Sequence, residues 1–176
     1  FSWGGELDNG FTVDMSFLLD NSDGAAAQIF DNRSLAIGMG DAGTLTFWGQ
    51  AGSGVVGSFD DRTPNAYEEV WDTTASADNR IDGRSGNNLI TYDSPSINGV
   101  MVKAAYQHDH STAAGQAQDI GHYADFGIMV SPEMVEGLTI GYGFGELEPN
   151  TSQSIDNETI FVKYAVGGFT LGYQMS

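Results

Sequence analysis

One stretch of the chain concentrates most of the residues able to do chemistry. Between "TLTFWGQ" (44–50) and "LITYDSP" (89–95) runs a connection at 51–87 that carries Asp60, Asp61, Glu68, Glu69 and Asp72, interspersed with Arg62, Arg80 and Arg84. Clustered carboxylates raise a negative potential that favours cations, and arginines set opposite them create a transverse field. The oxygens of "DDRTPN" and "YEEVWD" also suit a hard cation such as Ca²⁺, but the EF-hand spacing with its glycine and terminal glutamate is missing. A solvated acidic cluster without cofactor is the favoured reading, as for most charge runs. Catalysis finds little support. His108 and His110 sit beside Asp109 and Ser111 in "QHDHS", and His122 is the third histidine. Adjacency in sequence does not build a triad, and the chain contains no nucleophile elbow, phosphate loop or zinc helix motif. Solvated loop histidines and a non-enzymatic protein are expected.

Composition narrows the class. The 24 acids against 6 Lys and Arg give a net charge of −18, which argues against a nucleic-acid partner. A 40% apolar fraction and 11% aromatics are too high for a chain unable to collapse. Abundant Gly (24) and scarce Pro (4) fit many strands joined by tight turns. Without cysteine there are no disulfides or thiolate metal sites. There is no long apolar run of the kind a membrane helix needs, a condition that leaves membrane-spanning strands open.

The elements that must position the acidic stretch follow period-2 alternation. Phe11, Val13, Met15, Phe17 and Leu19 share one face, with Thr12, Asp14 and Ser16 on the other. The same holds for Val100–Tyr106 against Lys103 and Gln107, for Ala124–Val130 against Asp125, and for Leu138–Phe144 against Thr139, Gly141 and Gly143. It holds again for Ile160–Val166 against Lys163, and for Phe169, Leu171, Tyr173 and Met175. Ten strands are predicted, at 1–7, 11–19, 33–40, 44–50, 88–93, 100–108, 122–131, 138–144, 159–166 and 169–175, with a short helix allowed around "AYEEVW". The connections between them alternate short and long without exception, from "DNG" (8–10) to "GG" (167–168). In an up-and-down antiparallel sheet this sorts tight turns to one end and long polar loops to the other, as in outer-membrane barrels.

Glu6, Asp14, Lys103, Asp125 and Lys163 all fall opposite the large apolar side chains, on a face otherwise made of Ser, Thr, Gly, Asn and Gln. That is the distribution required if the apolar face meets lipid, where a mid-bilayer Lys or Arg costs ~2–4 kcal/mol. Tyr92, Tyr106, Tyr123, Trp48, Phe144 and Phe169 near strand ends fit interfacial girdles. Periodicity alone also fits a soluble acidic β-sandwich binding module, or an adhesive or receptor barrel with no open pore. The sorted loops favour the barrel.

"FDNRSLAIGMGDAGTLTFWGQ" and "GRSGNNLITYDSPSINGVMVKAAYQH" resemble the general diffusion porins of the Gram-negative outer membrane, with Asn88, Tyr92, Ser94, Pro95, Gly99, Tyr106 and Gln107 carrying the second match. The resemblance implies an all-β, up-and-down antiparallel transmembrane β-barrel of about sixteen strands, usually a homotrimer among membrane lipid and lipopolysaccharide. It implies that 51–87 is a constriction loop folded into the lumen, and that 1–176 is one barrel domain incomplete at both ends. About one strand would precede Phe1 and about five would follow Ser176. The pore constriction would then be formed by Asp60, Asp61, Glu68, Glu69 and Asp72, facing Arg62, Arg80, Arg84 and Arg33. Gln50 and Thr91 stand where the family often has basic residues, which reduces the positive charge of the wall. Arg33 shares parity with Leu35, Ile37 and Met39, so it lies above the apolar band, beside a bulge, or at a subunit contact. The expected function is passive diffusion of small hydrophilic solutes and ions, with cation selectivity.

Overall fold

The computed structural model describes residues 1–19, 30–59, 62–64, 85–86, 88–108, 121–148 and 153–176. Alternation becomes strand wherever it was predicted. The elements in chain order are β1 (Ser2–Glu6), β2 (Thr12–Leu19), β3 (Phe30–Gly38), β4 (Thr44–Gln50), β5 (Gly52–Ser53), α1 (Val55–Ser58), β6 (Ser85–Gly86), β7 (Leu89–Asp93), β8 (Val100–Gln107), β9 (His122–Val130), β10 (Leu138–Glu148), β11 (Ile155–Val166) and β12 (Phe169–Met175). Ten of the strands form a single antiparallel meander in the order β1-β2-β3-β4-β7-β8-β9-β10-β11-β12, while β5 and β6 pair separately as a two-residue ladder within the long connection. All ten predicted strands are present. The helix at Val55–Ser58 was not foreseen, and the one allowed at "AYEEVW" falls outside the described residues.

The short connections lie at one end of the sheet, as a meander requires. The tightest, Gly167–Gly168, has both residues at positive φ (54° and 86°), the two-residue turn that matches strand twist. Neighbouring turns are tied together: Ser131 N–H donates to the Gly99 carbonyl at 2.7 Å, and Ala165 N–H to the Gly137 carbonyl at 2.9 Å. At the other end β10 and β11 run further than predicted, with Glu146 opposite Asp156 and Leu147 opposite Ile155. Hydropathy stops signalling a strand where the apolar band ends, but the backbone ladder continues beyond it.

The two faces differ as expected. On β9, Ala124, Phe126 and Ile128 are exposed, and Tyr123, Asp125 and Gly127 between them are buried. Phe126 is 55% exposed, Val102 45% and Leu171 67%, and no layer covers that apolar face among the described residues. Lys103 lies on the opposite face and bonds the Asp93 carboxylate of its cross-strand partner. One expectation needs correcting. The inner face is not uniformly polar, because Leu89, Ala105, Tyr123 and Phe161 point inward and are nearly inaccessible. They form a local apolar seat, and the long connection occupies it.

Candidate functional site: a strap across the polar face

Straight after β4 the chain turns inward over its own wall. Ala51 takes positive φ (61°), and a side chain at Gly52 would collide with Trp48, whose Cβ and ring lie 2.6 Å from the position of such a Cβ. The helix α1 then lies on the inner face with Val55 and Val56 buried. Val55, Phe59, Leu89, Ala105 and Phe161 make one buried cluster, with Trp48 and Met129 packed against it.

The path can be followed strand by strand. A Cβ on Gly127 of β9 would stand 2.7 Å from Val55 Cγ1 and 2.9 Å from the Phe59 ring. On β10 a Cβ at Gly143 would meet the same ring at 3.1 Å. On β11 the Phe161 ring meets Phe59 edge-on, with centroids 5.4 Å apart and planes at 74°. The Arg62 guanidinium lies over the Phe161 ring, 5.9 Å from its centroid. On β12 a Cβ at Gly172 would lie 2.6 Å from Pro64 Cδ and 3.1 Å from Thr63 Cα. Residues 55–59 and 62–64 therefore lie along a strap across the strands from β8 to β12. Glycines let it lie close to the backbone: a bulkier residue at these positions would push it off the wall.

Three polar groups fix the strap along this path. Asp125 Oδ2 on β9 accepts the Val56 backbone N–H at 3.0 Å and the Tyr123 hydroxyl at 2.9 Å. Gln174 on β12 donates from Nε2 to the Phe59 carbonyl at 2.9 Å and to Thr159 Oγ1 at 3.1 Å. Arg62 donates from Nε to the Ser58 carbonyl at 3.0 Å, and its Nη2 bonds the same oxygen. Arg62 is thus engaged with the strap's own backbone.

The other candidate residues divide as follows. Asp60, Asp61, Glu68, Glu69, Asp72, Arg80 and Arg84 lie outside the described residues, as do the calcium-type donors among them. Arg33 is on the far side of the wall. The pairing slips beside it on both flanks, between Phe17 and Leu18 and between Arg33 and Ser34. Its stem lies across Gly49, 2.7 Å from where a Cβ there would stand. It shares an exposed outer groove with Met15, Phe17, Leu35 and Phe47. A bulge accompanies its parity, and the parity places it among the outward apolar side chains.

Two aromatics expected in a girdle also belong to the inner site. Tyr123 is 1% exposed and holds Asp125, and Trp48 donates from Nε1 to Thr91 Oγ1 at 3.0 Å. Sequence reasoning missed Asp125, Gln174 and Phe161 as residues that hold the loop. The available signal was the inward glycine column of "GYGFG" (141–145), a groove with nothing in sequence to fill it, and the off-phase Phe161 next to it.

A single-layer antiparallel sheet, apolar outside and polar inside, with a loop strapped across its inner face, defines the class of β-barrel channel walls. The Gram-negative porin description matches residues 1–176, and the chain belongs to that family. It is accordingly a protein of the Gram-negative outer membrane. Among solved structures it is similar to the anion-selective porin from Comamonas acidovorans, with a TM-score of 0.62 and 18% identity over 98% of this chain and 56% of that one. The chain therefore spans little more than half the length of that porin. Curated protein sequences offer no match.

Proposed function

We propose that this chain forms the wall and constricting strap of a water-filled channel for passive diffusion of small hydrophilic solutes and ions, assembled as a homotrimer and without catalytic activity. The observation that carries the reading is the strap itself. A segment crossing the polar face of five strands narrows whatever passage that face lines, and its anchoring to the wall gives the narrowing a fixed size.

The preference is for cations. Acids outnumber bases 24 to 6 along the chain, and the strap continues into the acid-rich segment that contains Glu68, Glu69 and Asp72. The structural relative named above is anion-selective, but at 18% identity the likeness extends to the fold and not to the sign of the lining charge. Planar-bilayer recordings of the full-length protein test both parts. Discrete conductance steps are expected, with a reversal potential in a KCl gradient that reports K⁺ over Cl⁻. Anion preference would remove the selectivity claim, and absence of steps would remove the channel.

A further inference from the structure

We infer that Asp125 is the positioning residue that sets the seat of the strap, and through it the width of the passage, by hydrogen bonding and not by its charge. The inference rests on the channel reading above. Asp125 is 4% exposed, in mid-strand, and one oxygen, Oδ2, receives both the Val56 N–H of the strap and the Tyr123 hydroxyl of the wall. The two donors come from the two bodies that have to be joined, and they meet at a single atom.

The other oxygen, Oδ1, is buried with no hydrogen-bond partner among the described residues. A carboxylate placed to project charge into a passage would show its oxygens to water. This one is covered by the strap it holds. The backbone N–H groups of Val55 and Ala105 also lie near the carboxylate, but the two direct bonds need only an acceptor where Oδ2 stands, so an amide oxygen placed there keeps both.

The seat beside it is shaped independently. Gly127 and Gly143 leave room for Val55 and the Phe59 ring at the distances given above, so the strap is held by a bond at α1 and, at Phe59, by shape together with the Gln174 bond. Removing the acceptor takes from the buried Val56 N–H the partner it uses and breaks one bond of the Tyr123 hydroxyl. The unseated strap should then become roughly ten-fold or more as populated.

The experiment records single channels of the full-length porin, with heat-modifiable gel mobility as the check that each variant folds. Wild type and Asp125→Asn are expected to show the same narrow distribution of step sizes and the same ion preference. Asp125→Ala is expected to broaden the distribution and raise the frequency of subconductance events roughly ten-fold. Val56→Pro, which removes the strap's N–H in the first turn of α1 and leaves Asp125 in place, is expected to broaden the steps as well, and it decides the matter if Asp125→Ala does not fold. The inference is overturned if Asp125→Asn behaves like Asp125→Ala, since charge would then be the active property. It is also overturned if folded Asp125→Ala, or folded Val56→Pro, conducts as wild type does. A wild type without any conductance would instead reject the channel reading.

Discussion

The sheet carries the same alternation throughout its strand order, yet its first strands and β9 to β11 are buried very differently. On β2, Asp14, Met15 and Ser16 are all exposed, and Ser16 and Ser34 share an exposed bond at 3.0 Å. In the middle of β9 to β11 alternate residues are buried: Tyr123, Asp125 and Gly127, then Gly141, Gly143 and Gly145, then Thr159 and Phe161. In both regions the outward apolar residues remain uncovered, as shown by Met15 at 41% and Phe126 at 55%. The pleat therefore assigns residues to faces, while burial on the inner face comes from the strap. In a soluble sandwich the apolar side would be covered. Here the covered side is the one with polar groups and glycines, and a hydrocarbon phase outside accounts for the inversion.

Substitutions can break this comparison in graded ways, each read as the shift in urea midpoint of the full-length protein in lipid vesicles by tryptophan fluorescence. The largest loss is expected for Phe161→Ala, about 3–5 kcal/mol, because it empties the seat under Phe59 and Arg62. An equally large loss for Phe17→Ala on β2 would remove the distinction between the two regions. Next, Ile128→Lys on the outer face of β9 should cost about 2–4 kcal/mol. The same change at Thr170, which shares the inward parity of Gln174 on β12, should cost far less, and equal costs would contradict the assignment of faces. Gln174→Ala should lose about 1 kcal/mol, the net worth of its bond to the Phe59 carbonyl. Its effect should shrink in a variant already carrying Thr159→Val, which removes the side-chain partner of the same Nε2, so strict additivity in that double-mutant cycle would deny the coupling. Finally, Ser34→Ala at the bare end should stay within about 0.5 kcal/mol of wild type.

Much of this architecture was legible in the residues. "FTVDMSFLL" and "HYADFGIMV" alternate so regularly that strand type, face and antiparallel pairing follow from the two-residue period, and the short connections carry their own turn chemistry. The ends of β10 and β11 were less legible, because Glu146, Asp156 and Glu158 end the hydropathy signal while the ladder continues. Arg33 shows what parity can and cannot say. Parity put it with Leu35 and Ile37, and the structure agrees. Its resemblance-based role opposite the loop acids required the other face, and the bulge beside it does not carry it there.

What the sequence determined by itself was the wall: ten ribbons, their outward and inward sides, and the end at which the chain turns tightly. These are local properties, fixed by backbone period and by turn residues acting on their immediate neighbours. Only the tertiary structure decided where the long connection goes. Val56 meets Asp125 across 69 residues of chain, and Phe59 meets Gln174 across 115. Such contacts depend on the spacing of adjacent strands and on glycine columns that come into line only when the ladders are in register. Sequence could mark the groove and the ring separately, but the fit between them exists only once the sheet has formed.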